Sequence, residues 1–114
     1  MDLQLENRVV LVTGGAKGIG AAIVRAAAAE GACPIIVDRD AEASKGLHAE
    51  VSTSHVVIAD LSSLADCKTA INSTLEKFGH LDALVNNAGI NDKLGLEHGT
   101  PEQYAESLGR NLLH

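Results

Sequence analysis

The sequence predicts an α/β protein of the doubly wound class, in which helices cover both faces of an open parallel sheet to give three layers. Three observations favour this class. Short apolar runs rich in β-branched residues recur without hydrophobic–polar alternation, which is typical of strands covered on both faces. Each run is followed by a helical pattern, and four such pairs fill the 114 residues. The composition, 46% apolar and 21% charged, is that of one globular domain.

The first strand and the first helix flank a glycine-rich loop. The β-branched run at residues 9–13 predicts a buried strand that ends at Gly14. A helix is predicted over residues 18–30, with Gly31 as its stop signal. Its expected buried stripe consists of Ile19, Ala22, Ile23, Ala26 and Ala27.

The second and third strands are both short and both end at an aspartate. Residues 35–37 form an apolar run that ends at Asp38, and Asp40 is placed to cap a helix over residues 41–50. The third run, residues 56–59, ends at Asp60. Acidic groups are therefore expected at the carboxyl ends of two neighbouring strands.

The last two helices begin with capping signals. Ser63 and Asp66 form a loose capping box before a helix that runs to residue 78, with a stripe of Leu64, Cys67, Ile71, Leu75 and Phe78. A strand is predicted at residues 81–85, followed by a polar stretch over residues 86–99. Thr100 as cap, Pro101 and Gln103 predict the start of a helix lined by Tyr104, Leu108 and Leu112.

Composition and charge disfavour several classes of protein. A net charge of −6 and two aromatic residues argue against a nucleic-acid binder. No apolar run approaches the roughly 18 residues of a membrane span, and the acidic N-terminus is no signal peptide. Cys33 and Cys67 lack metal-ligand spacing, so we expect two buried thiols, no metal site and a cytoplasmic location.

The loop from Thr13 to Gly20 has the pattern T-G-x-x-x-G-x-G. The usual dinucleotide fingerprint G-x-G-x-x-G is not met, because Ile23 occupies the place of its third glycine. A glycine-rich turn between a buried strand and a helix still lets the backbone approach a pyrophosphate at the helix N-terminus. The alternative interpretation is a plain tight turn.

Asp38 strengthens the interpretation of this loop as a phosphate site. It lies at the end of the second strand, near the roughly 20-residue offset at which an acid accepts hydrogen bonds from ribose hydroxyls. An aspartate at a strand end can also be a simple turn former. Together with the glycine loop, Asp38 predicts dinucleotide binding.

At this point the chain resembles the short-chain dehydrogenases/reductases. The loop matches that family's cofactor motif, Asn86-Asn87-Ala88-Gly89 matches its N-N-A-G signature, Asp60-Leu61 looks like its adenine-contacting pair, and Asn111 falls where the family keeps an active-site asparagine. The resemblance implies a Rossmann-like sheet of order 3-2-1-4 over residues 1–114. It also implies these cofactor-binding residues: Gly14, Ala16, Lys17, Gly18, Ile19, Gly20, Asp38, Arg39, Asp60, Leu61, Asn87, Ala88 and Gly89.

The resemblance further implies an oxidoreductase acting on a small-molecule alcohol or carbonyl. Asp38 favours NAD as the cofactor, whereas Lys17 and Arg39 keep NADP possible. Residues 89–93 and 109–114 resemble bacterial sugar dehydrogenases of the L-fucose dehydrogenase type. The family resemblance implies a homotetramer for the full-length protein. Asn91 and Asp92 are polar enough to bind sugar hydroxyls. A flexible surface loop would look the same.

The family's downstream serine and Tyr-x-x-x-Lys pair have no counterpart in these residues. Tyr104 is the single tyrosine, and Leu108 stands four residues after it. We therefore expect the front part of a longer domain, which binds cofactor but shows no turnover by itself. The alternatives are a dinucleotide-binding module without turnover and a nonfunctional fragment.

Overall fold

Four strands alternate with four helices in the computed structural model, which describes residues 2–89 and 99–111, with the backbone alone for 109–111. The elements in chain order are β1 (Val9–Thr13), α1 (Gly18–Ala29), β2 (Cys33–Asp38), α2 (Ala41–Glu50), β3 (His55–Ile58), α3 (Leu64–Phe78), β4 (Ala83–Val85) and α4 (Pro101–Asn111). The predicted alternation is confirmed, with strand and helix ends shifted by a few residues.

The strands form one parallel sheet in the order β3-β2-β1-β4, which confirms the predicted order 3-2-1-4. In its register Val12 of β1 lies opposite Ile36 of β2 and Val85 of β4. Asp38 lies opposite Ile58 of β3. The carboxyl ends of all four strands therefore meet at one edge of the sheet, where open α/β sheets bind ligands.

Alternate residues of the central strands enter two separate apolar clusters, one on each face of the sheet. One cluster contains Val10 and Val12 together with Val24 of α1 and Leu47 of α2. The other contains Val9, Leu11, Ile35 and Val37 together with Ala70 of α3. Coverage on both faces explains why β1 and β2 are apolar at nearly every position.

The helix ends follow the predicted capping signals. The Asp40 carboxylate accepts the backbone N–H of Ala43 at 3.0 Å, and the Ser63 hydroxyl accepts that of Asp66 at 3.3 Å. Thr100 and Gln103 form a reciprocal capping box, with bonds of 2.9 and 3.2 Å.

The predicted buried stripe of α1 is wrong in most of its members. Ile19 is 74% exposed, and Ala22 and Ala26 are also exposed. The face that packs on the sheet is instead built from the small residues Gly20, Ala21, Val24 and Ala27. Small side chains let the helix axis approach β1 closely, so the larger Ile19 is turned outward.

Two further expectations about burial need correction. In α3 the buried residues are Ala70 and Thr74, whereas Leu64 and Leu75 of the predicted stripe are exposed. Cys33 and Cys67 are half-buried rather than fully buried thiols.

Candidate functional site

The segment from the end of β1 to the first residue of α1 contains two glycines with left-handed backbone conformation. Gly14 has φ +62° and Gly18 has φ +56°, values that other residues adopt only with strain. The N–H of Gly14 donates to the carbonyl of Val37 at 2.8 Å, which fixes the loop to the end of β2. Lys17 is the N-cap of α1, but its side chain makes no capping bond. The first turn of α1 thus keeps backbone donors that no side chain caps.

Gly20 provides the close approach between α1 and the sheet. A Cβ at this position would overlap the carbonyl oxygen of Gly14 and come within 2.7 Å of Nδ2 of Asn87. No side chain fits there. Gly20 therefore performs the packing role for which the third glycine of the usual fingerprint is known, and Ile23 does not need to be glycine.

Asp38 connects the end of β2 to the glycine loop. One carboxylate oxygen accepts the N–H of Ala16 at 3.1 Å, and the other accepts the N–H of Asp40 at 2.9 Å. These bonds orient the carboxylate at the carboxyl edge of the sheet, next to exposed Arg39. An oriented carboxylate at this point can accept hydrogen bonds from vicinal hydroxyl groups.

Thr13 is a site residue whose role the sequence did not reveal. Its hydroxyl oxygen accepts the backbone N–H groups of Asn87 and Ala88 at 2.9 and 3.0 Å, and the hydroxyl lies 3.3 Å from the carbonyl oxygen of Val85. The amide nitrogen of Asn87 in turn donates to the carbonyls of Thr13 and Gly14, at 3.1 and 3.2 Å. The loop after β1 and the segment after β4 are thereby joined into one unit.

Asp60 lines the site at the carboxyl end of β3. Its carboxylate accepts both the hydroxyl and the backbone N–H of Ser62, at 2.6 and 3.0 Å. These hydrogen bonds, together with the nearby charge of Arg39, hold the pKa of Asp60 below its ordinary value. The backbone N–H of Asp60 donates to Asp66 at 2.7 Å, so the turn after β3 is rigidly tied to α3.

These groups surround one cleft of about 850 Å³ at the carboxyl edge of the sheet. Most of the predicted cofactor residues line it: Gly14, Lys17, Ile19, Asp38, Arg39, Asp60, Leu61, Asn87, Ala88 and Gly89. Ala16, Gly18 and Gly20 belong to the same loop but do not line the cleft. Asn111 ends α4, and its side chain lies outside the described part, as do Asn91 and Asp92.

Four lining residues were not predicted. Val37 and Ala59 contribute apolar walls, Ser62 contributes a hydroxyl, and Glu106 reaches the cleft from α4. Val37 and Ala59 each directly precede a predicted site aspartate, and this was the one signal in the sequence that could have placed them at the cleft. Nothing in the local pattern of α4 distinguishes Glu106 from an ordinary solvated helix residue.

The described residues, 2–89 and 99–111, contain no cluster of three or more His, Cys, Asp or Glu side chains placed to hold a metal ion. In the same part of the chain, every helix is too short or too polar to cross a bilayer.

Residues 8–113 match the family of short chain dehydrogenases. The chain belongs to this family. Among the relatives of this chain, L-fucose dehydrogenase of Mus musculus is 41% identical over 108 residues, which cover 94% of this chain and 40% of that protein. A probable galactose dehydrogenase of Rhizobium meliloti is 42% identical over 115 residues, covering 96% and 45%.

Solved structures of short-chain dehydrogenases share the fold. The 3-ketoacyl-(acyl-carrier-protein) reductase from Brucella melitensis, complexed with NADH, superposes with a TM-score of 0.86 at 38% identity, over 95% of this chain and 46% of that one. The Cj0485 dehydrogenase superposes with a TM-score of 0.84 at 37% identity, over 100% and 45%. The chain thus spans less than half the length of these relatives.

Proposed function

We propose that this chain is the NAD-binding part of a dehydrogenase that interconverts an alcohol, in particular a sugar hydroxyl, and a carbonyl. The observation that carries the proposal is the single cleft in which the glycine loop, Asp38, Asp60 and the segment Asn87–Gly89 meet. The dinucleotide is supported by the NADH complex of the Brucella reductase. The sugar is supported by the names of the fucose and galactose dehydrogenases.

The residues of the cleft fit the parts of a dinucleotide. The uncapped first turn of α1 and the loop around Gly18 suit a pyrophosphate, because a Cβ at Gly18 would meet nothing within 4 Å. Asp38 suits the hydroxyls of the adenosine ribose, and Asp60 with Leu61 suits the adenine. The segment Asn87–Gly89 leaves room for the second ribose and the nicotinamide, because the side chain of Ala88 is small and Gly89 has none.

NAD is the proposed cofactor rather than NADP. The 2′-phosphate of NADP would bring a like charge against the Asp38 carboxylate, and in a partly desolvated site this costs several kcal/mol, on the order of 100-fold or more in affinity. The ribose hydroxyls of NAD are instead hydrogen-bond donors that the carboxylate can accept.

The bound nicotinamide supplies the group that gives or takes the hydride. The residues of this chain bind and orient the cofactor, and Asn111 is the residue proposed to support the reacting centre. A carbonyl must also be polarised and a proton delivered. With Tyr104 followed by Leu108, the 114 residues hold no Tyr-x-x-x-Lys pair for that step. Turnover, the homotetramer and the cytoplasmic location are therefore predictions for the complete protein.

Calorimetric titration of the 114-residue chain with NAD and with NADP tests the proposal. We expect saturable binding of NAD, weaker binding of NADP, and no NADH absorbance when L-fucose, galactose or simple alcohols are added. Tighter binding of NADP would refute the cofactor assignment, and absence of binding by either would refute dinucleotide binding altogether. Measurable turnover would show that a proton donor exists within these residues.

A further inference from the structure

Lys17, the N-cap of α1 and a wall of the cleft, does not point its charge freely into solvent. Its ammonium nitrogen lies 3.0 Å from a carboxylate oxygen of Asp40 at the start of α2. The Lys17 side chain is 67% exposed and that of Asp40 37% exposed, so the ion pair lies at the rim of the cleft. The pair therefore connects the glycine loop to the helix that follows Asp38.

Hydrogen bonds to neighbouring residues fix both the carboxylate and the backbone of Asp40. Its other oxygen accepts the N–H of Ala43 as the cap of α2, and its carbonyl accepts the hydroxyl of fully buried Ser44 at 2.7 Å. Its N–H donates to Asp38 at 2.9 Å. The capping bond and the Lys17 ion pair hold the pKa of Asp40 below its ordinary value. The carboxylate that pairs with Lys17 is therefore held in place by bonds that do not involve the lysine.

The two cations beside Asp38 in the cleft each have an acidic neighbour. Lys17 is paired with Asp40, and Arg39 is close enough to Asp60 to lower the pKa of that carboxyl. Among the described lining residues, Lys17 and Arg39 are the positive side chains that a phosphate ester next to Asp38 would need. Lys17 is therefore already paired with a carboxylate in the absence of ligand, whereas Arg39 makes no ion pair among the described residues.

The geometry points to Asp40 as a specificity-determining residue that acts through Lys17: it keeps the ammonium from a 2′-phosphate and so favours NAD over NADP. This assignment rests on the proposed dinucleotide binding. Asp38 repels the phosphate directly, whereas Asp40 withdraws one of the two cations, Lys17, that would offset that repulsion. Asp40 is a positioning residue, since it does not line the cleft itself.

The test separates the charge of Asp40 from its capping role. Asp40→Asn retains an oxygen for the Ala43 N–H, because asparagine caps helices about as well as aspartate, but it loses the negative charge. Calorimetric titrations with NAD and with NADP are made on the unaltered chain, on Asp40→Asn, on Lys17→Gln and on the double variant. Glu42→Gln is the matched control, since Glu42 is an exposed acid in the same first turn that does not pair with Lys17.

We expect Asp40→Asn to raise affinity for NADP relative to NAD about fivefold, the scale of one exposed ion pair. The gain should vanish in the Lys17→Gln background, and Glu42→Gln should leave the ratio unchanged. A loss of capping alone would weaken both cofactors equally and leave the ratio where it was. An unchanged ratio in Asp40→Asn, or a gain that persists without Lys17, overturns the assignment.

The result also distinguishes this inference from the proposed function. If the unaltered chain binds neither cofactor, dinucleotide binding is refuted and the role of Asp40 is refuted with it. If the unaltered chain binds NAD and only the variant ratios fail to move, dinucleotide binding stands and the role of Asp40 alone is wrong.

Discussion

Gly18 and Gly20 lie two positions apart in the first turn of α1, yet substitutions at them should differ in their effect on folding. At Gly18 the left-handed φ of +56° makes any side chain cost about 1–2 kcal/mol, but the space around its Cβ is open. We expect Gly18→Val to fold, with its circular dichroism nearly unchanged, while NAD binding is lost because the branched side chain stands beside the uncapped first turn of α1.

Gly20→Ala is the counterpart with a different expected outcome. Its added methyl group would overlap the Gly14 carbonyl, which is backbone and cannot rotate away. This variant should lose cooperative unfolding along with NAD binding.

If Gly18→Val binds NAD as well as the unaltered chain does, the loop is only a turn and the proposed pyrophosphate site is wrong.

The candidate site was only partly predictable from the sequence, because some of its residues have local partners and others bond to residues far along the chain. Asp38 and the glycines could be identified because their partners or their spacing are local. The hydroxyl of Thr13 acts on Asn87, 74 residues away, and a single β-branched residue at a strand end gives no sign of such a bond. Glu106 is similar, since only the tertiary fold brings α4 to the cleft.

Among the elements, α1 shows where hydrophobic periodicity fails. The caps of α2, α3 and α4 followed from local patterns, and the strand order followed from the family resemblance. The sequence of α1 is apolar on nearly every face of the helix. Two apolar stripes therefore both have helical spacing, and periodicity does not distinguish the buried one. Packing decides in favour of the stripe with Gly20 and Ala21, because only small residues let the helix lie against β1.

The packing of β3 against α3 should make the free energy of unfolding sensitive to mild acid. His55 begins β3, and its ring meets Phe78 edge to face at 5.9 Å. In the described part of the chain its Nε2 is buried without a hydrogen-bond partner. Burial, and to a lesser degree the charges of Lys77 and His48, lowers the pKa of His55 below its ordinary value of 6.5.

Because the folded state binds this proton less tightly than the unfolded state, the stability that neutral His55 supports is complete above about pH 6.5. It declines as the pH falls below that value toward the lower folded pKa. Urea unfolding at pH 8, 6.5 and 5.5 should show this decline, and His55→Gln should flatten it. An equal slope in both proteins would mean that His55 does not contribute.

At the scale of the whole molecule, β4 is the least covered part of the described sheet. It pairs with β1 on one side, and its Leu84 is 50% exposed. An apolar edge strand is a template for association with another chain. We expect the 114-residue chain to associate as its concentration rises in sedimentation velocity. Leu84→Glu should reduce this association with little loss of stability.

Ile58→Glu is the matched control for that experiment. Ile58 is 48% exposed on β3, at the opposite edge of the same sheet, so the change in charge and hydropathy is the same. Equal effects of the two substitutions would show that association does not depend on the β4 edge.

The bond between Thr13 and Asn87 also has a consequence for the order of folding. The glycine loop and Asp38 lie within the first 38 residues, but the other wall of the cleft comes from chain synthesised much later. Bringing together residues this far apart in the sequence carries an entropic cost, which the pairing of β4 with β1 helps to offset. Cofactor affinity should therefore not grow steadily with the length of a nascent chain. It should arise in one step, when the chain is long enough for the N–H groups of Asn87 and Ala88 to donate to the Thr13 hydroxyl.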